Sequence, residues 1–185
     1  MVKTTTPAER EAAVPAGAVA VADLLNSRAY ADLGDKLDSP GPAAAVLRPF
    51  GQEDGAAPSA ARLDLVRAVR ADLLDLVTAA DPEDHAGKWS ALSGRASSVT
   101  FRQEFAAPGR VRLRQVGGDL VVGGIVEAVA ALVAAGDWSR MRLCANDECR
   151  EAFYDTSRSR TRRWHSYEFC GNRTNVAAYR ARHQA

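Results

Sequence analysis

The sequence has few of the residues on which several common classes of protein depend. Only three of its 185 residues are cysteines, and all three lie between positions 144 and 170, so no disulfide framework is expected. No run of eighteen apolar residues occurs, which argues against a membrane-spanning helix. The first seventeen residues combine Lys3 with Glu9 and Glu11 and lack the apolar stretch of a signal peptide. We therefore expect a cytoplasmic protein with no membrane partner.

The net charge is small, but the charged residues are unevenly distributed along the chain. The formal net charge is only +1, yet residues 140–185 contain ten arginines and no lysine against five acidic residues, a local charge of +5. The preceding 139 residues carry fourteen basic and eighteen acidic residues, a charge of −4. A basic end on an acidic body predicts that the end meets a polyanion while the body does something else.

Four residues near the end have the spacing of metal ligands: Cys144, Cys149, His165 and Cys170. They form one Cys-x4-Cys pair and one His-x4-Cys pair, with fifteen residues between the pairs. Together they supply the four ligands of a tetrahedral zinc ion and leave no position open for chemistry. The alternative is three small buried side chains and an unrelated surface histidine, since free cysteine packs well in cores. The clustering and spacing favour one structural Zn²⁺ per chain.

The surrounding residues resemble a known family. The run Cys170-Gly171-Asn172-Arg173, preceded by Asp155-Thr156-Ser157-Arg158 and by Arg162-Arg163-Trp164, is similar to the CGNR zinc finger. This small module is found at the C-terminus of bacterial proteins associated with transcription regulation, and the resemblance covers about Arg142 to Arg182. The family usually has a cysteine as third ligand, where His165 stands here. Imidazole is a good zinc ligand, so this departure keeps the site.

A second resemblance lies near the N-terminus. The run Leu24-Leu25-Asn26-Ser27-Arg28 resembles the segment that opens the ABATE domain, the usual N-terminal companion of the CGNR finger in a stress-induced transcription regulator family. We therefore expect a disordered tail over 1–17, an ABATE-like helical domain with a hairpin over 18–138, and the finger over 139–185. In this family the N-terminal domain is expected to sense a ligand or to form a dimer.

The apolar pattern predicts an α+β fold with a mainly helical N-terminal domain. Helices are expected at Val19–Arg28, at Ala43–Leu47 within a Pro- and Gly-rich loop, and after Ser59, which can cap a long helix. In that long helix the apolar residues should face inward, while Arg67, Arg70 and Asp75 should lie away from the core. Two more helices are expected: one that starts at Asp81-Pro82, with Trp89 and Leu92 inward and His85 solvated, and one over Leu120–Ala135 capped by Asp119.

Alternating residues predict one β-hairpin in this domain. Its strands are Ser98–Phe105 and Arg110–Val116, joined by Ala107-Pro108-Gly109. The outward arginines of this hairpin form a basic ladder, which is more often a solvated sheet face than a nucleic-acid contact. They are Arg102, Arg110, Arg112 and Arg114.

The finger itself is expected to be a short hairpin followed by a helix. The strands should be Arg142–Cys144 and Cys149–Asp155, and the helix should begin near Cys170 with Asn172 or Thr174 as cap. We expect Val176 and Tyr179 to face inward. Six aromatic residues lie here, and we expect most of them to form a small core around the zinc. They are Phe153, Tyr154, Trp164, Tyr167, Phe169 and Tyr179.

The run from Thr156 to Arg163 contains four arginines and four hydroxyl residues without an acid. Guanidinium groups bind phosphate oxygens in a bidentate manner and hydroxyls add neutral donors, so the run is typical of a phosphate contact. The alternative is a solvated loop whose arginine stems cover the aromatic rings. We predict phosphate contacts by the loop and base contacts by the following helix. The predicted DNA-binding residues are Arg158, Arg160, Arg162, Arg163, Arg173 and Arg180.

Three functions are consistent with these features. The first is a nucleoid-associated regulator that binds double-stranded DNA, with a second copy of the chain and a small-molecule effector as further partners. The second is a zinc-stabilised protein-interaction or RNA-binding module that responds to oxidation. The third, an enzyme, is disfavoured for two reasons. Four protein ligands would occupy every coordination position of the metal, and the H-x-E and P-C-x-x-C motifs of zinc deaminases are absent.

Overall fold

The structure is a computed structural model that describes residues 14–30, 33–79 and 82–183. It confirms the α+β class, since six α-helices and two antiparallel hairpins occur in these ranges. The helices are α1 (Ala16–Leu25), α2 (Pro40–Leu47), α3 (Ala60–Thr78), α4 (Pro82–Arg95), α5 (Leu120–Ala134) and α6 (Asn172–His183).

Two short hairpins and several single turns complete the fold. The strands are β1 (Thr100–Ala106) paired with β2 (Arg110–Gly117), and β3 (Met141–Leu143) paired with β4 (Ala152–Tyr154). Turns of 3₁₀-helix cover Lys36–Asp38, Arg48–Phe50 and Trp138–Arg140, and a π-helical turn at Tyr167–Gly171 leads into α6. Within the described ranges, none of the helices has both the length and the apolar character needed to cross a membrane.

Two predicted helix caps, Ser59 and Asp119, are confirmed, whereas α2 begins at Pro40 rather than Ala43 and Thr174 donates to the Cys170 carbonyl instead of capping α6. The Ser59 hydroxyl accepts a hydrogen bond from the Arg62 amide at 3.3 Å at the start of α3. At the start of α5, Asp119 Oδ1 accepts from the amides of Val121 and Val122 at 2.9 and 3.1 Å. Both side chains satisfy amides that have no partner within their helix. The predicted cap Asp81 lies outside the described residues.

Helix α1 begins and ends earlier than the sequence predicted. It begins at Ala16, inside the expected tail, because Pro15 has a backbone angle suited to a helix start and Val14 packs against the core. It ends at Leu25 rather than Arg28. The Ser27 hydroxyl and the Arg28 guanidinium donate to the carbonyls of Leu24 and Leu25, which closes the last turn. The rest of the expected tail, residues 1–13, lies outside the described residues.

The main core lies between α1, α3 and α5. Helix α5 approaches the Arg48–Phe50 turn so closely that a side chain at Gly124 would place its Cβ 2.4 Å from the Phe50 carbonyl oxygen. Only glycine fits at this crossing. The buried side chains that fill the core include Val21, Leu24, Leu25, Leu37, Leu47, Val66, Val69, Leu73, Val121 and Ile125.

The expectation that Arg70 lies away from the core is wrong. Only 6% of Arg70 is exposed, and its guanidinium forms a two-pronged ion pair with Asp35, with one N–O distance of 2.9 Å. The same guanidinium donates to the Ser27 hydroxyl at 2.7 Å. Arg70 follows Val66 by one helical turn and so shares its inward face, where a charged partner from outside the helix makes burial tolerable.

The predicted hairpin β1–β2 is confirmed, but little of it is covered by the rest of the chain. Phe105 pairs directly with Val111, and Leu113 pairs with Gln103. Because side chains alternate along a strand, Phe105, Val111 and Leu113 lie on the same side of the ribbon, which we call the hairpin apolar face. Their exposed fractions are 81%, 56% and 47%. The four ladder arginines lie on the opposite side and are exposed as expected.

The second hairpin, β3–β4, joins the helical body to the C-terminal segment. Met141 and Ala152 are buried in the same core as α1 and α3. The Asn26 side chain bonds to both backbone groups of Ala152, donating to its carbonyl at 2.9 Å and accepting from its amide at 2.7 Å. Arg28 donates to the Arg150 carbonyl at 2.5 Å. The division into units at residue 138 stays a prediction, and these contacts cross it.

Candidate metal centre

The four predicted ligands come from three local structures. Cys144 follows β3 and Cys149 precedes β4, so the turn between the strands presents both thiols. In that turn the Asn146 side-chain oxygen accepts a hydrogen bond from the Glu148 amide at 3.1 Å. The Asn146 backbone carbonyl accepts one from the Cys149 amide at 2.9 Å. His165 ends the arginine-rich loop. Cys170 lies in the π-helical turn, an irregularity that often occurs at functional sites.

The side chains of the four ligands converge as a tetrahedral site requires. The three sulfur atoms and one imidazole nitrogen all lie within 4.8 Å of one another. His165 Nδ1 lies 3.4 Å from the Cys149 sulfur and 3.7 Å from the Cys170 sulfur. Ideal Zn–S and Zn–N bond lengths imply ligand-to-ligand distances of about 3.5–3.8 Å. The donor set and its spacing therefore fit one Zn²⁺.

Burial makes this site unfavourable for thiolates unless a cation is present. Cys144 is fully buried and only 5% of Cys170 is exposed. The pKa of the Cys149 thiol is raised to about 12, mainly by burial and in part by the neighbouring sulfurs of Cys170 and Cys144. A divalent metal would reverse this balance, because it binds thiolates and offsets their mutual repulsion. Phe153 and Trp164 pack around the cluster and limit its contact with water.

The outer ligand contacts were not anticipated from the sequence. His165 Nε2 lies 3.3 Å from Glu151 Oε2. A carboxylate in this place fixes the imidazole orientation and keeps the proton on Nε2, so that Nδ1 faces the sulfurs. Glu151 comes two residues after Cys149, but nothing in the sequence indicates that it meets a histidine fourteen positions away.

Arg162 is also part of this support. Its guanidinium donates to the Trp164 carbonyl at 2.8 Å and to the His165 carbonyl, and it stacks over the Phe153 ring at 5.4 Å. These contacts hold the backbone that presents His165 to the metal. Arg162 is half-buried, whereas the sequence grouped it with solvent-facing arginines.

Asp155 organises the loop between the two ligand pairs. The residue is fully buried, and its carboxylate accepts from the amides of Ser157 and Arg162 at 2.8 and 2.9 Å. Arg142 lies 3.3 Å from the same carboxylate. Burial alone would raise the pKa of Asp155, but these hydrogen bonds and the Arg142 charge together lower it below its ordinary value. The loop therefore wraps around an ionised carboxylate.

The remaining predicted DNA-binding residues, apart from Arg162, lie at the surface. All five are exposed, and only Arg160 has a polar side-chain contact in the described part of the chain, at 3.3 Å to the Ser139 hydroxyl. Arg163 stacks on Trp164, with its guanidinium 5.1 Å from the ring centre. Their role in binding DNA stays a prediction. These residues are Arg158, Arg160, Arg163, Arg173 and Arg180.

Two expectations about packing in this region are wrong. Val176 and Tyr179 are 48% and 58% exposed rather than inward, because among the described elements α6 packs mainly against the π-helical turn that leads into it. The aromatic core around the metal is also smaller than expected. Tyr167 and Phe169 are 60% and 71% exposed, and Tyr154 packs against the core of the body. With Phe153 and Trp164 alone, the apolar support is slight, so the metal has the larger part in holding the ligand segments together.

Comparison with known proteins agrees with this geometry. The family model of the CGNR zinc finger matches residues 140–183, which include all four ligands. No curated protein matches the chain. Residues 140–183 are therefore a CGNR zinc finger, and their Cys/Cys/His/Cys cluster is arranged for one structural Zn²⁺.

Proposed function

We propose that this protein is a bacterial transcription regulator that binds double-stranded DNA through its zinc finger. In this proposal the N-terminal region is an ABATE-like domain that senses a ligand and forms a dimer, and the protein acts at the nucleoid. The observation that carries the proposal is a set of exposed arginines on the finger that have no carboxylate partner among the described residues. This set includes Arg158, Arg160, Arg163, Arg173 and Arg180, and Arg150 in the turn between β3 and β4.

Most of the positively charged groups of the finger are exposed, whereas two of its acidic groups face inward. Asp155 is turned inward and used by the loop, and Glu151 faces His165. These acids therefore do not neutralise the exposed guanidinium groups. Phosphate binding by unpaired guanidinium groups releases counterions from DNA, which supplies most of the affinity in sequence-independent binding.

The loop and α6 are suited to different contacts. Arg173, Val176 and Arg180 follow each other at intervals of three and four residues, so they share one exposed side of α6. A helix fits the major groove, and arginine is the commonest reader of guanine there. We assign base contacts to this side of α6 and phosphate contacts to the loop.

A non-catalytic role for the metal belongs to the same proposal. Four protein side chains converge at the site, and together they would take all four positions of a tetrahedral zinc ion. Catalytic zinc sites keep one position for water or substrate. The role of zinc here would be structural: by coordinating the four side chains it would hold together the segments that carry the arginines.

The hairpin apolar face supports a homodimer. Phe105, Val111 and Leu113 are all largely exposed, and an isolated two-stranded ribbon is marginal in water without a covered face. Two such faces can meet around a two-fold axis with both arginine ladders left outside, so like charges do not oppose each other. One small finger offers a limited contact area, so paired fingers would raise DNA affinity.

Fluorescence anisotropy of labelled duplex DNA tests the proposal. We expect binding at low salt, with affinity falling steeply as salt rises. The substitution Arg163→Gln should reduce the salt slope by about one, and Arg173→Gln should cost roughly 1–3 kcal/mol at the preferred sequence. Arg48→Gln is the matched control, because Arg48 is an exposed arginine of the body. Absence of duplex binding by the zinc-loaded protein would exclude DNA as the partner, and equal effects of all three substitutions would show that the finger arginines do not carry the binding.

The exposed aromatic rings favour one alternative function. Tyr167 and Phe169 lie in the turn that leads into α6. Tyr167 packs edge to face against Trp164 with ring centres 5.9 Å apart, but both rings are largely exposed and can still stack on unpaired bases or contact a protein. A zinc-stabilised RNA-binding or protein-interaction module, sensitive to thiol oxidation, would use these rings. In that case single-stranded RNA should compete better than duplex DNA, and Phe169→Ala should weaken binding more than Arg173→Gln.

A further inference from the structure

A cleft of about 580 Å³ lies where the body meets the finger. Its walls come from the end of α3, from α4, from the Trp138–Arg140 turn and β3, and from the two ligand-bearing loops of the finger. Small-molecule sites commonly have this size and occur where two parts of a fold meet.

One wall of the cleft is aromatic and apolar. Trp89 and Trp138 pack edge to face with ring centres 5.4 Å apart, and both side chains are only partly buried. Leu76 and Met141 extend this wall, and His85 lies beside it. A planar ring placed here would bury apolar surface against two indoles.

A second part of the lining, the arginine wall, is basic. It contains four arginines, and two of them are engaged within the protein: Arg142 with Asp155, and Arg162 with the carbonyls of Trp164 and His165. The guanidinium groups of Arg150 and Arg163 form no hydrogen bond or ion pair with the described residues. The lining of the cleft, as far as the structure describes it, contains no aspartate or glutamate. Two unpaired cations on a partly enclosed surface form a site for an anion.

We propose that this cleft binds a small organic anion that consists of a planar ring and a carboxylate. The ring lies against Trp89 and Trp138, and the carboxylate accepts hydrogen bonds from Arg150 and Arg163. The ring requires the indole wall and the charge requires the arginine wall, so neither a bare anion nor a neutral ring satisfies both sides.

Occupancy of the cleft has a consequence for DNA binding, and this consequence rests on the proposed function. Arg163 belongs both to the cleft and to the predicted phosphate contacts. A carboxylate that engages Arg163 competes with DNA for this guanidinium group, so the ligand should lower DNA affinity. By thermodynamic linkage DNA should lower ligand affinity by the same factor.

Benzoate, salicylate and indole-3-carboxylate are suitable probes for the zinc-loaded full chain. Isothermal titration should show saturable binding of at least one of them, with a change in tryptophan fluorescence. Benzyl alcohol, which lacks the charge, and inorganic phosphate, which lacks the ring, should bind at least about tenfold more weakly. Arg150→Gln should weaken binding of the carboxylate by about tenfold or more. Arg158→Gln, which alters an exposed arginine outside the cleft, should leave it unchanged.

Each proposal can fail separately. No saturable binding of any probe up to about 10 mM overturns the cleft proposal, as does equal binding by Arg150→Gln and the unsubstituted protein when both hold the same amount of zinc. Phosphate that binds as tightly as the carboxylates also overturns it, because the ring would then have no role. Arg173→Gln separates the two proposals: it should weaken DNA binding and leave the carboxylates unaffected. Carboxylate binding without any DNA binding would uphold the cleft and refute the proposed function.

Discussion

At the scale of single residues, Glu151 and Arg162 show how much of the metal centre lies outside its four ligands. Glu151 orients the His165 ring, and Arg162 holds the carbonyls of Trp164 and His165. Neither residue binds the metal. Both limit the positions that Nδ1 of His165 can take, so the site is preorganised for a tetrahedral ion.

The substitution Glu151→Ala tests this support. Without the carboxylate the imidazole can rotate and its tautomer is no longer fixed, so zinc affinity should fall by about 10–100-fold. Competition with a chelator of known affinity measures the change. Glu148→Ala is the matched control, since Glu148 is an exposed acid of the same turn and should leave zinc affinity unchanged. Equal zinc affinities for the two variants would show that Glu151 does not support the metal site.

The buried pair of Arg70 and Asp35 gives a second prediction at this scale. The substitution Asp35→Asn leaves the Arg70 charge buried without compensation and should destabilise the body by roughly 3 kcal/mol. In contrast, Asp38→Asn removes an exposed pair with Arg67 and should cost about 0–1 kcal/mol. Urea unfolding measures both. Comparable losses in the two variants would show that burial of Arg70 does not matter.

The Asp35 effect should depend on pH in a defined direction. Burial acts to raise the pKa of Asp35, but the hydrogen bond from Arg70, supported by the Leu37 amide, lowers it overall. A carboxyl group with a lowered pKa stabilises the fold in full above its ordinary pKa of about 3.9. This stabilisation is lost as the pH falls through the lowered value. The stability difference between the original protein and Asp35→Asn should therefore be constant near neutral pH and should shrink only in acid.

At the scale of elements, the β3–β4 hairpin has two roles. It carries Cys144 and Cys149, and it contributes Met141 and Ala152 to the core of the body. The Asn26 side chain mimics a neighbouring strand, because it pairs with both the amide and the carbonyl of Ala152. The metal site is thereby fixed to the helices.

The substitution Asn26→Ala should weaken this attachment. It leaves the Ala152 amide and carbonyl without partners and should destabilise the protein by about 1–3 kcal/mol, with faster hydrogen exchange in β4. Asn175→Ala, at an exposed position of α6, is the control and should change stability by less than about 0.5 kcal/mol. If β4 exchanges at the same rate in both variants, the Asn26 contacts do not hold the hairpin.

Features that depend on residues close together in the sequence could be predicted from it. Features that depend on contacts between distant residues could not. Caps such as Ser59 and Asp119 act within three residues, so the sequence contains the whole interaction. The ligand spacing likewise anticipated the Cys/Cys/His/Cys cluster. The inward position of Arg70 depends on Asp35, thirty-five positions earlier, which no periodic pattern contains. The exposure of Val176 depends on how α6 packs against the rest of the chain, and a helical period cannot indicate that.

At the scale of the whole molecule, the finger brings three separate properties together. Its metal cluster holds the segments, its inward-facing Asp155 shapes the loop, and its outward arginines are left for a partner. The cleft against Trp89 and Trp138 adds a place where a ligand could touch both the body and the arginine loop. We expect the arrangement of the ligand segments to depend on the metal, because only a slight apolar core supports them.

Zinc content therefore tests the central claim most directly. Native mass spectrometry of protein purified without chelator should find one zinc ion per chain. Cys149→Ser and Cys170→Ser should each lose this ion, because three remaining ligands hold zinc much less tightly. His85→Gln, which changes a histidine outside the cluster, should keep it. Protein that contains no zinc, or variants that retain it after loss of a cluster cysteine, would contradict the claim that this cluster is a structural zinc site.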